Sequence, residues 1–433
     1  MIDNSICLKR LGNLACELEN GLVIISNSPE KYRNFHIAYP YRHDSNFYYL
    51  TGFSEPSSAI CIKIHQGNIA ETTLFCLPKN PDEEIWTGER LGIEGAKDKF
   101  NFDKFFRYDV LIDELSSMLP DFTHIYANFG QNPKVDQLLY DYQKEKHFSS
   151  SYDSSIILED IQYHIGKLRL IKDNYEIQTI QRAIDITEKA HCQAARSIAP
   201  GRWEYEIEAE LMHVFYKEGS RRTAYDSIVA SGDRACTLHY TNNDKLIQLK
   251  DLVLIDAGCE YEGYASDITR TYPASGKYEG LSKEIYELVI LAQEEAIRAI
   301  CPGRDLVEVH LAAINTLSQG LIDMGVFKQP LDDVLSKKLY KKYSIHSTSH
   351  TLGADVHDTG FHDVGHKPNI LQSGVIITVE PGLYFRKSDD ISDSFWGIGV
   401  RIEDDVLVTD NGCIVMSSRI PKSCEDVEVM MRS

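Results

Sequence analysis

The pattern of apolar and polar positions divides the chain into a first part with short strands and a second part that begins with a long helix. The short apolar runs GLVIISNS and AICIKIHQG predict strands, and YDVLIDELSSML repeats its apolar residues at helical spacing. A long helical pattern then starts near Asp173, which caps it, and ends at Pro200-Gly201. We therefore expect an N-terminal mixed α/β domain at 1–170 and a second domain at 171–433.

The second domain repeats one order of elements. The stretches 194–219 and 296–320 each predict a helix, a Pro-Gly-Arg break and another helix, and β-rich sequence follows each, at 225–272 and 343–416. One shared triplet can arise by chance, but a shared order of elements indicates duplication. The predicted fold class is α+β, with two similar halves whose sheets pack around a shared cleft.

Composition narrows the function classes. The net charge of −20 has the wrong sign for a nucleic-acid or anionic-membrane surface. The N-terminal sequence has acids and no apolar segment typical of a signal peptide, and no run approaches the ~18 apolar residues of a membrane span. The ten cysteines include no C-x-x-C pair. We expect a cytoplasmic protein with reduced cysteines and neither a nucleic-acid nor a membrane partner.

Four acids interrupt apolar runs in the second domain, where a buried carboxylate is costly unless its charge is compensated. These acids are Asp256, Asp267, Glu380 and Glu403. One such acid is often an edge charge or half of a salt bridge, but four are poorly explained that way. We expect Glu380 at the end of one strand and Glu403 inside another. The segment HSTSHTLGADVHD adds three imidazoles, His346, His350 and His357.

The first two acids belong to a predicted hairpin. With strands at 252–259 and 264–272 and a loop at 261–262, Asp256 and Asp267 face each other directly, with Cβ atoms about 5 Å apart. Like charges so placed destabilise a sheet unless a cation lies between them. The alternative is a slipped register with one aspartate in a turn and one on the surface.

Four carboxylates and an imidazole are the ligands of hard or borderline divalent ions such as Mn²⁺, Co²⁺ or Zn²⁺. Because four carboxylates exceed what one ion needs, two ions about 3.5–4 Å apart with bridging carboxylates fit better. Structural Ca²⁺ is the alternative. Against it stand the imidazole and the lack of closely spaced acids as in an EF-hand loop.

The order Asp, Asp, His, Glu, Glu resembles that of the pita-bread metallopeptidases, which include methionine aminopeptidase, prolidase and aminopeptidase P, with creatinase as a relative that uses no metal. The blocks LIDAGCEYEGYASDITRT, SHTLGADVHD, TVEPGLY and GVRIEDD resemble the bacterial aminopeptidase P (Xaa-Pro aminopeptidase) branch, as do YPYRHDSNFYYLTGF and EEIWTGERLG in the first domain. The resemblance covers nearly the whole chain and implies a pita-bread fold with pseudo-twofold halves.

By this resemblance, Asp256 would bind one ion, His350 and Glu380 the other, and two acids would bridge both, Asp267 and Glu403. The resemblance also implies contacts with substrate for a second set of residues. These are His239, His357, His346, Arg401, Tyr225 and Tyr384. Within this set, His239 and His357 match positions near the scissile bond, and His346 and Arg401 match positions near a proline pocket. Trp86 matches a tryptophan that reaches a neighbouring subunit's site, which implies a homodimer or homotetramer.

Two features depart from the family pattern. Ser347 stands where relatives often have glycine. The loop at 359–369 carries His362, His366 and Lys367 where relatives often place an arginine that meets the substrate. The preference for longer peptides is therefore open.

The resemblance implies an aminopeptidase that removes the first residue from peptides with proline in second position. Two divalent ions, expected to be Mn²⁺ with Co²⁺ or Zn²⁺ as alternatives, would turn a bridging water into hydroxide for attack on the Xaa-Pro carbonyl. Glu380 would move the proton to the leaving nitrogen, and His357 would stabilise the oxyanion. A prolidase, which cleaves dipeptides only, is the nearest alternative; methionine aminopeptidase and a non-catalytic binding protein are further ones.

Overall fold

The computed structural model describes residues 2–148, 156–360 and 369–432. The chain forms two compact units, at 1–168 and 169–433. Among the described residues, no helix combines the length and apolarity that crossing a bilayer requires.

A mixed six-stranded sheet is the centre of the N-terminal unit. The strands of this unit are β1 (Gly21–Ser26), β2 (Tyr32–Asn34), β3 (Ile37–Ala38), β4 (Ala59–His65), β5 (Asn68–Cys76), β6 (Lys104–Arg107), β7 (His124–Ala127) and β8 (Ile157–Asp160). The sheet order is β6-β5-β4-β1-β7-β8, and β2 pairs with β3 separately. The helices are α1 (Asn4–Leu18), α2 (Ser45–Thr51), α3 (Pro81–Thr87), α4 (Gly92–Lys99), α5 (Leu111–Met118), α6 (Pro133–Phe148) and α7 (Gln162–Leu170), which spans the division between the units.

Strand β1 is buried on both faces, which explains its continuous apolar sequence. Val23 and Ile25 belong to the apolar cluster that includes α1 and α2, whereas Leu22 and Ile24 belong to the cluster that includes α5 and α6. The predicted strands are confirmed as β1 and β4. The predicted amphipathic helix is confirmed as α5, flanked by short 3₁₀ helices.

The described residues of the C-terminal unit form two helix pairs and four small sheets. Its helices are α8 (Asn174–Ser197), α9 (Glu204–Lys217), α10 (Gly280–Arg298), α11 (Leu306–Asp323), α12 (Leu331–Ser336) and α13 (Cys424–Arg432). Its strands are β9 (Arg222–Thr223), β10 (Ile228–Ser231), β11 (Leu252–Asp256), β12 (Cys259–Tyr261), β13 (Tyr264–Ala265), β14 (Thr269–Pro273), β15 (Ile376–Val379), β16 (Gly382–Phe385), β17 (Ile398–Arg401), β18 (Asp404–Thr409) and β19 (Gly412–Val415). The sheets are β10-β11-β14, β13-β12-β9, β15-β18-β19 and β16-β17.

The predicted start of the long helix is confirmed. Helix α8 begins with a reciprocal cap in which the Glu176 N–H donates to Asp173 Oδ1 and the Asp173 N–H donates to Glu176 Oε2, both over 3.0 Å. The helix ends at Ser197, three residues before Pro200.

The predicted repeat is confirmed down to the backbone. The glycines of the two Pro-Gly-Arg triplets, Gly201 and Gly303, have φ values of +89° and +87°, a region that favours glycine. Each donates its N–H over 2.9 Å to the carbonyl of a residue a few positions before a strand, Ile247 before β11 in the first half and Leu371 before β15 in the second. That residue returns its own N–H to the carbonyl of the arginine in the same triplet. The two halves therefore share one arrangement of helices and sheet.

We expect acid to destabilise the C-terminal unit through His191, which lies fully buried on α8. Its ring nitrogens lie 3.2 Å from the Ala257 carbonyl and 3.3 Å from the Tyr272 hydroxyl, so the neutral ring is satisfied. Burial lowers its pKa from 6.5 to about 4. Between pH 6.5 and 4, the unfolded chain binds a proton that the folded chain does not. The free energy of unfolding therefore decreases as the pH is lowered, by up to about 3 kcal/mol.

The measurement is urea unfolding of the wild type and His191→Gln at pH 7, 5.5 and 4.5. The loss of unfolding free energy on acidification should be smaller in the variant. Equal losses in both proteins would show that His191 is not responsible.

Candidate metal centre

The two halves place an acid at the same position of their repeated arrangement. Asp256 follows Ile247 by nine residues and is the last residue of β11. Glu380 follows Leu371 by nine residues and comes directly after β15, as predicted. Both acids line one cavity of about 500 Å³ in the C-terminal unit. The cleft expected between the halves is thus where their equivalent carboxylates meet.

Most of the predicted site residues line this cavity. They are Tyr225, His239, Asp256, Asp267, His346, His350, His357, Glu380, Arg401 and Glu403. Tyr384 reaches the same group through hydrogen bonds. Trp86 lies in the N-terminal unit on α3, with 88% of its surface exposed. The predicted departures at His362, His366 and Lys367 lie outside the described residues.

The predicted hairpin register is wrong by two residues. Asp256 pairs with Thr269, not with the second aspartate. The two-residue loop is Glu262-Gly263, with φ values of +47° and +82°, rather than 261–262. A two-residue hairpin loop of this kind needs positive φ at both positions, and glycine supplies it most readily at the second. The loop therefore moves one residue along the chain, and every pair shifts with it.

The two aspartates nevertheless converge, because the hairpin is interrupted between β11 and β12 and between β13 and β14. At this interruption the two segments of the hairpin approach so closely that a Cβ on Gly258 would lie 1.7 Å from the Ser266 carbonyl oxygen. The Tyr225 hydroxyl lies 2.6 Å from Asp256 Oδ1 and 2.5 Å from Asp267 Oδ1. Burial and both carboxylates raise the pKa of Tyr225 well above its ordinary value, so it stays a donor.

Glu403 does not lie inside a strand, contrary to expectation, but between β17 and β18. Here the chain leaves its pairing with β16 and joins β15. The Glu403 N–H donates to the Thr269 carbonyl over 3.0 Å, and the Thr269 hydroxyl donates to Glu403 Oε2 over 2.6 Å. The break in the strand therefore carries this acid from the second half to β14 of the first.

His350 is held beside β15 with one ring nitrogen directed at the acids. Its carbonyl accepts the Thr378 N–H over 2.9 Å. Its Nδ1 lies 3.0 Å from the Thr351 carbonyl, so Nδ1 carries a proton and Nε2 faces the acids. Burial lowers the pKa of His350, but Asp267 and Glu380 outweigh burial and raise it to about 9 in the absence of a cation. Nε2 then lies 3.3 Å from Asp267 Oδ2 and 3.6 Å from Glu380 Oε1. This is the orientation that a metal-binding imidazole requires.

The donor set fits divalent metal ions. Asp267, His350 and Glu403 each offer a ligand atom, all within 4.8 Å of one another. Burial raises the pKa of Glu380 to about 7, and burial with the neighbouring carboxylates raises that of Glu403 well above its ordinary value. A bound cation would offset both the burial of these negative charges and the repulsion between them.

A chain of hydrogen bonds ties Asp256 to the predicted proline-pocket residues. The Arg401 guanidinium donates to Asp256 Oδ2 and, over 2.9 Å, to the Tyr384 hydroxyl. That hydroxyl lies 2.7 Å from His346 Nε2, and His346 Nδ1 lies 2.7 Å from the Ser347 carbonyl. Burial and the Arg401 charge lower the pKa of His346 to about 4. The imidazole is therefore neutral, and Tyr384 donates to it.

The remaining two histidines occupy accessible positions. The ring of His357 lies 4.3 Å from that of His350, edge to face. Partial burial and the neighbouring His350 lower the pKa of His357, so it is neutral at pH 7. His239 is exposed where it lines the cavity.

Sequence reasoning missed several residues of the site. Thr269 binds Glu403, as described above, and Asp405 Oδ2 accepts the Asp267 N–H over 3.1 Å. Three consecutive acids in an apolar run, at 403–405, were the available signal for Asp405. Asp226 also lines the cavity, and nothing in its local sequence marks it.

Comparison with known proteins agrees with this geometry. The model of metallopeptidase family M24 matches residues 178–410, and that of the aminopeptidase P N-terminal domain matches 8–126. The Xaa-Pro aminopeptidase of Haemophilus influenzae is 38% identical (95% of this chain, 93% of that protein), and that of Escherichia coli is 34% identical (94% and 93%).

Solved structures extend the likeness to the whole fold. Proline aminopeptidase P II from Yersinia pestis superimposes with a TM-score of 0.94 at 33% identity, covering 100% of both chains. Aminopeptidase PepP of Pseudomonas aeruginosa superimposes with a TM-score of 0.93 at 37% identity, covering 100% of this chain and 98% of that one. These matches confirm the predicted fold class, including the pita-bread fold. The chain belongs to metallopeptidase family M24.

Proposed function

We propose that the protein is a metal-dependent Xaa-Pro aminopeptidase, which releases the first residue of peptides that have proline in second position. The observation that carries this proposal is the convergence of carboxylates and an imidazole from both halves in one cavity. Relatives named Xaa-Pro aminopeptidase match more than nine-tenths of the chain. We assign the aminopeptidase P-type domain to 1–170 and catalysis to 171–433.

We propose that the cavity holds two divalent ions, Mn²⁺ first, with Co²⁺ and Zn²⁺ as alternatives. The residues that would hold them are Asp256, Asp267, His350, Glu380 and Glu403. Such ions activate a water molecule and stabilise negative charge on a carbonyl oxygen. The position of Asp267 supports its role as a bridge, because it lies between the Tyr225 hydroxyl and His350 Nε2. Asp256 Oδ1 accepts a hydrogen bond from the Tyr225 hydroxyl, as Asp267 Oδ1 does, whereas Asp256 Oδ2 accepts one from Arg401.

The protein's own groups account for the proton transfers. We assign Glu380 as the base that accepts the proton of the attacking water and delivers it to the proline nitrogen. That nitrogen must gain a proton to leave. The position of Glu380 directly after β15, in the cavity beside the other proposed ligands, supports this role. Neutral His357 would donate an N–H to the oxyanion, and His239 would contact the peptide near the scissile bond.

We assign the proline ring to the surface beside His346, Tyr384 and Arg401. These three side chains are joined by hydrogen bonds and anchored on Asp256, so they form a preorganised wall rather than mobile contacts. Tyr225 completes the cavity near the two aspartates.

We also propose a homodimer or homotetramer in which Trp86 reaches a partner's site. Its support is the exposure of large apolar side chains on α3 of the N-terminal unit, where 88% of Trp86 and 79% of Ile85 are accessible. Exposed aromatic side chains of this kind mark interaction surfaces. A cytoplasmic location suits the ten free cysteines, half of which are buried.

A panel of peptides tests the activity. Arg-Pro-Pro-Gly, Arg-Ala-Pro-Gly and the dipeptide Arg-Pro are each incubated with Mn²⁺, Co²⁺ or Zn²⁺, and with a chelator as the control. We expect release of arginine from the first peptide, with kcat/KM about 10²-fold above that for the alanine peptide. Cleavage of the dipeptide alone would make the protein a prolidase. Equal cleavage of the proline and alanine peptides would refute proline specificity.

A further inference from the structure

A buried cluster of four charged side chains adjoins the turn at residues 351–358. Arg169 Nη2 donates to Asp355 Oδ2 over 2.7 Å and to Asp358 Oδ1, and Lys172 Nζ donates to Asp358 Oδ2 over 3.0 Å. The side chain of Asp355 is 41% exposed, whereas those of the other three are at most 2% exposed. Two positive and two negative charges balance, with the buried Asp358 carboxylate between both cations.

The backbone of the same turn fixes the ring of His350. The Thr351 carbonyl accepts both the His350 Nδ1–H, over 3.0 Å, and the Asp358 N–H, over 2.9 Å. The Thr351 hydroxyl donates to the Asp358 carbonyl over 2.5 Å. Asp358 also follows His357 directly in the chain. A shift of Asp358 would therefore disturb the carbonyl that orients one histidine and the backbone that carries the other.

Close packing leaves the Asp358 carboxylate little freedom. A Cβ on Gly353 would lie 2.1 Å from Asp358 Oδ2 and 3.0 Å from Lys172 Cε. The Lys172 N–H donates to the Gly374 carbonyl over 2.9 Å, which anchors the lysine to the segment before β15. Because a buried charge without its partner is strongly unfavourable, the two cations hold Asp358 in one place.

We infer that Asp358, held by Arg169 and Lys172, is a positioning residue that orients His350 towards the metal ions and places His357 beside the substrate. This inference rests on the proposed function. The link from this cluster to the His350 ring is the Asp358 backbone N–H, which shares the Thr351 carbonyl with His350 Nδ1. Groups that orient a metal-binding imidazole typically change metal affinity or activity 10- to 100-fold when they are removed.

The first test is Asp358→Asn, studied as the full chain after removal of metal. Calorimetric titration with Mn²⁺ should show affinity weakened by about 10- to 100-fold, a reading that does not depend on turnover. At saturating Mn²⁺, kcat for Arg-Pro-Pro-Gly should fall by about 10-fold or more, with KM within about 3-fold of the wild type. Wild-type Mn²⁺ affinity and kcat in this variant would overturn the inference.

A double variant separates positioning from stability. Asp358→Asn combined with Lys172→Met removes the lysine charge that the single change leaves buried without its carboxylate, so resistance to urea should recover relative to Asp358→Asn. Positioning predicts that Mn²⁺ affinity and kcat stay low. Recovery of both together with stability would reduce the cluster to a purely structural role and refute the inference. If Asp358→Asn does not fold, the double variant alone decides.

Asp355→Asn is the matched control, since it removes a carboxylate from the same guanidinium at an exposed position. Its Mn²⁺ affinity should stay within about 3-fold of the wild type; a loss as large as that in Asp358→Asn would contradict a specific role for Asp358. If the wild type binds Mn²⁺ and cleaves no Xaa-Pro peptide, the proposed function fails. The Mn²⁺ titrations would still test the positioning of His350.

Discussion

Asp267→Ala is expected to abolish both metal binding and peptide cleavage. Its carboxylate lies between the Tyr225 hydroxyl and His350 Nε2, within 4.8 Å of a ligand atom of Glu403. Its removal therefore eliminates the ligand that would bridge the two ions. Loss of several kcal/mol of charge stabilisation corresponds to a fall in kcat/KM of at least about 10³-fold. Metal content by elemental analysis and cleavage of Arg-Pro-Pro-Gly are measured on the same preparation.

Asp226→Ala is the matched control for this experiment. Asp226 lines the same cavity but is not among the predicted ligands, so the variant should keep its metal. An Asp267→Ala protein that retained two ions and full turnover would refute the bridging role.

His357→Ala is expected to lose about 10²-fold in kcat while it keeps its metal, as happens when one donor to an oxyanion is removed. The His357 ring stacks edge to face on His350, and its lowered pKa keeps the N–H of a neutral ring available at pH 7. Steady-state kinetics at saturating Mn²⁺ give kcat, and calorimetry gives the Mn²⁺ affinity. His357→Gln, which retains an N–H donor, should recover part of kcat. A parallel loss of metal and activity would instead make His357 a ligand.

The sequence predicts the parts of the site that depend on local pattern. An acid inside an apolar run can be recognised from the sequence alone, which is why Asp256 and Glu380 were both candidates. Glu380 is confirmed at a strand end, whereas Asp256, predicted inside a strand at 252–259, is the last residue of the shorter β11. The repeat could be predicted because Pro-Gly-Arg breaks two helix pairs at the same point. Both features depend on backbone preferences and on burial, which act over a few residues.

The predictions that the structure contradicts concern features that depend on contacts between distant segments. The predicted register of Asp256 is wrong because the loop lies one residue later, where Glu262 and Gly263 adopt the positive φ values that the turn needs. The break at Glu403 arises from its bonds to Thr269, 134 positions away. The Arg401–Asp256 ion pair joins residues 145 positions apart. No local pattern encodes such pairs.

The sequence also gives no sign that certain charged side chains are buried. Arg169 and Lys172 belong to a stretch that has the composition of a solvated helix surface, yet both side chains are almost fully buried. Charged residues are rarely buried without a partner, but the partners here lie about 186 positions away. Composition alone cannot distinguish a solvated lysine from an enclosed one.

Asp256 and Glu380 occupy equivalent positions of the repeat but have different surroundings. Two identical halves would surround both acids in the same way. In the present chain, Arg401 binds the first acid, whereas the second lies within 3.6 Å of ring nitrogens of His346 and His350. The neighbouring side chains, rather than the repeated backbone, therefore make the two halves unequal, and exchanging the two acids would not preserve the site.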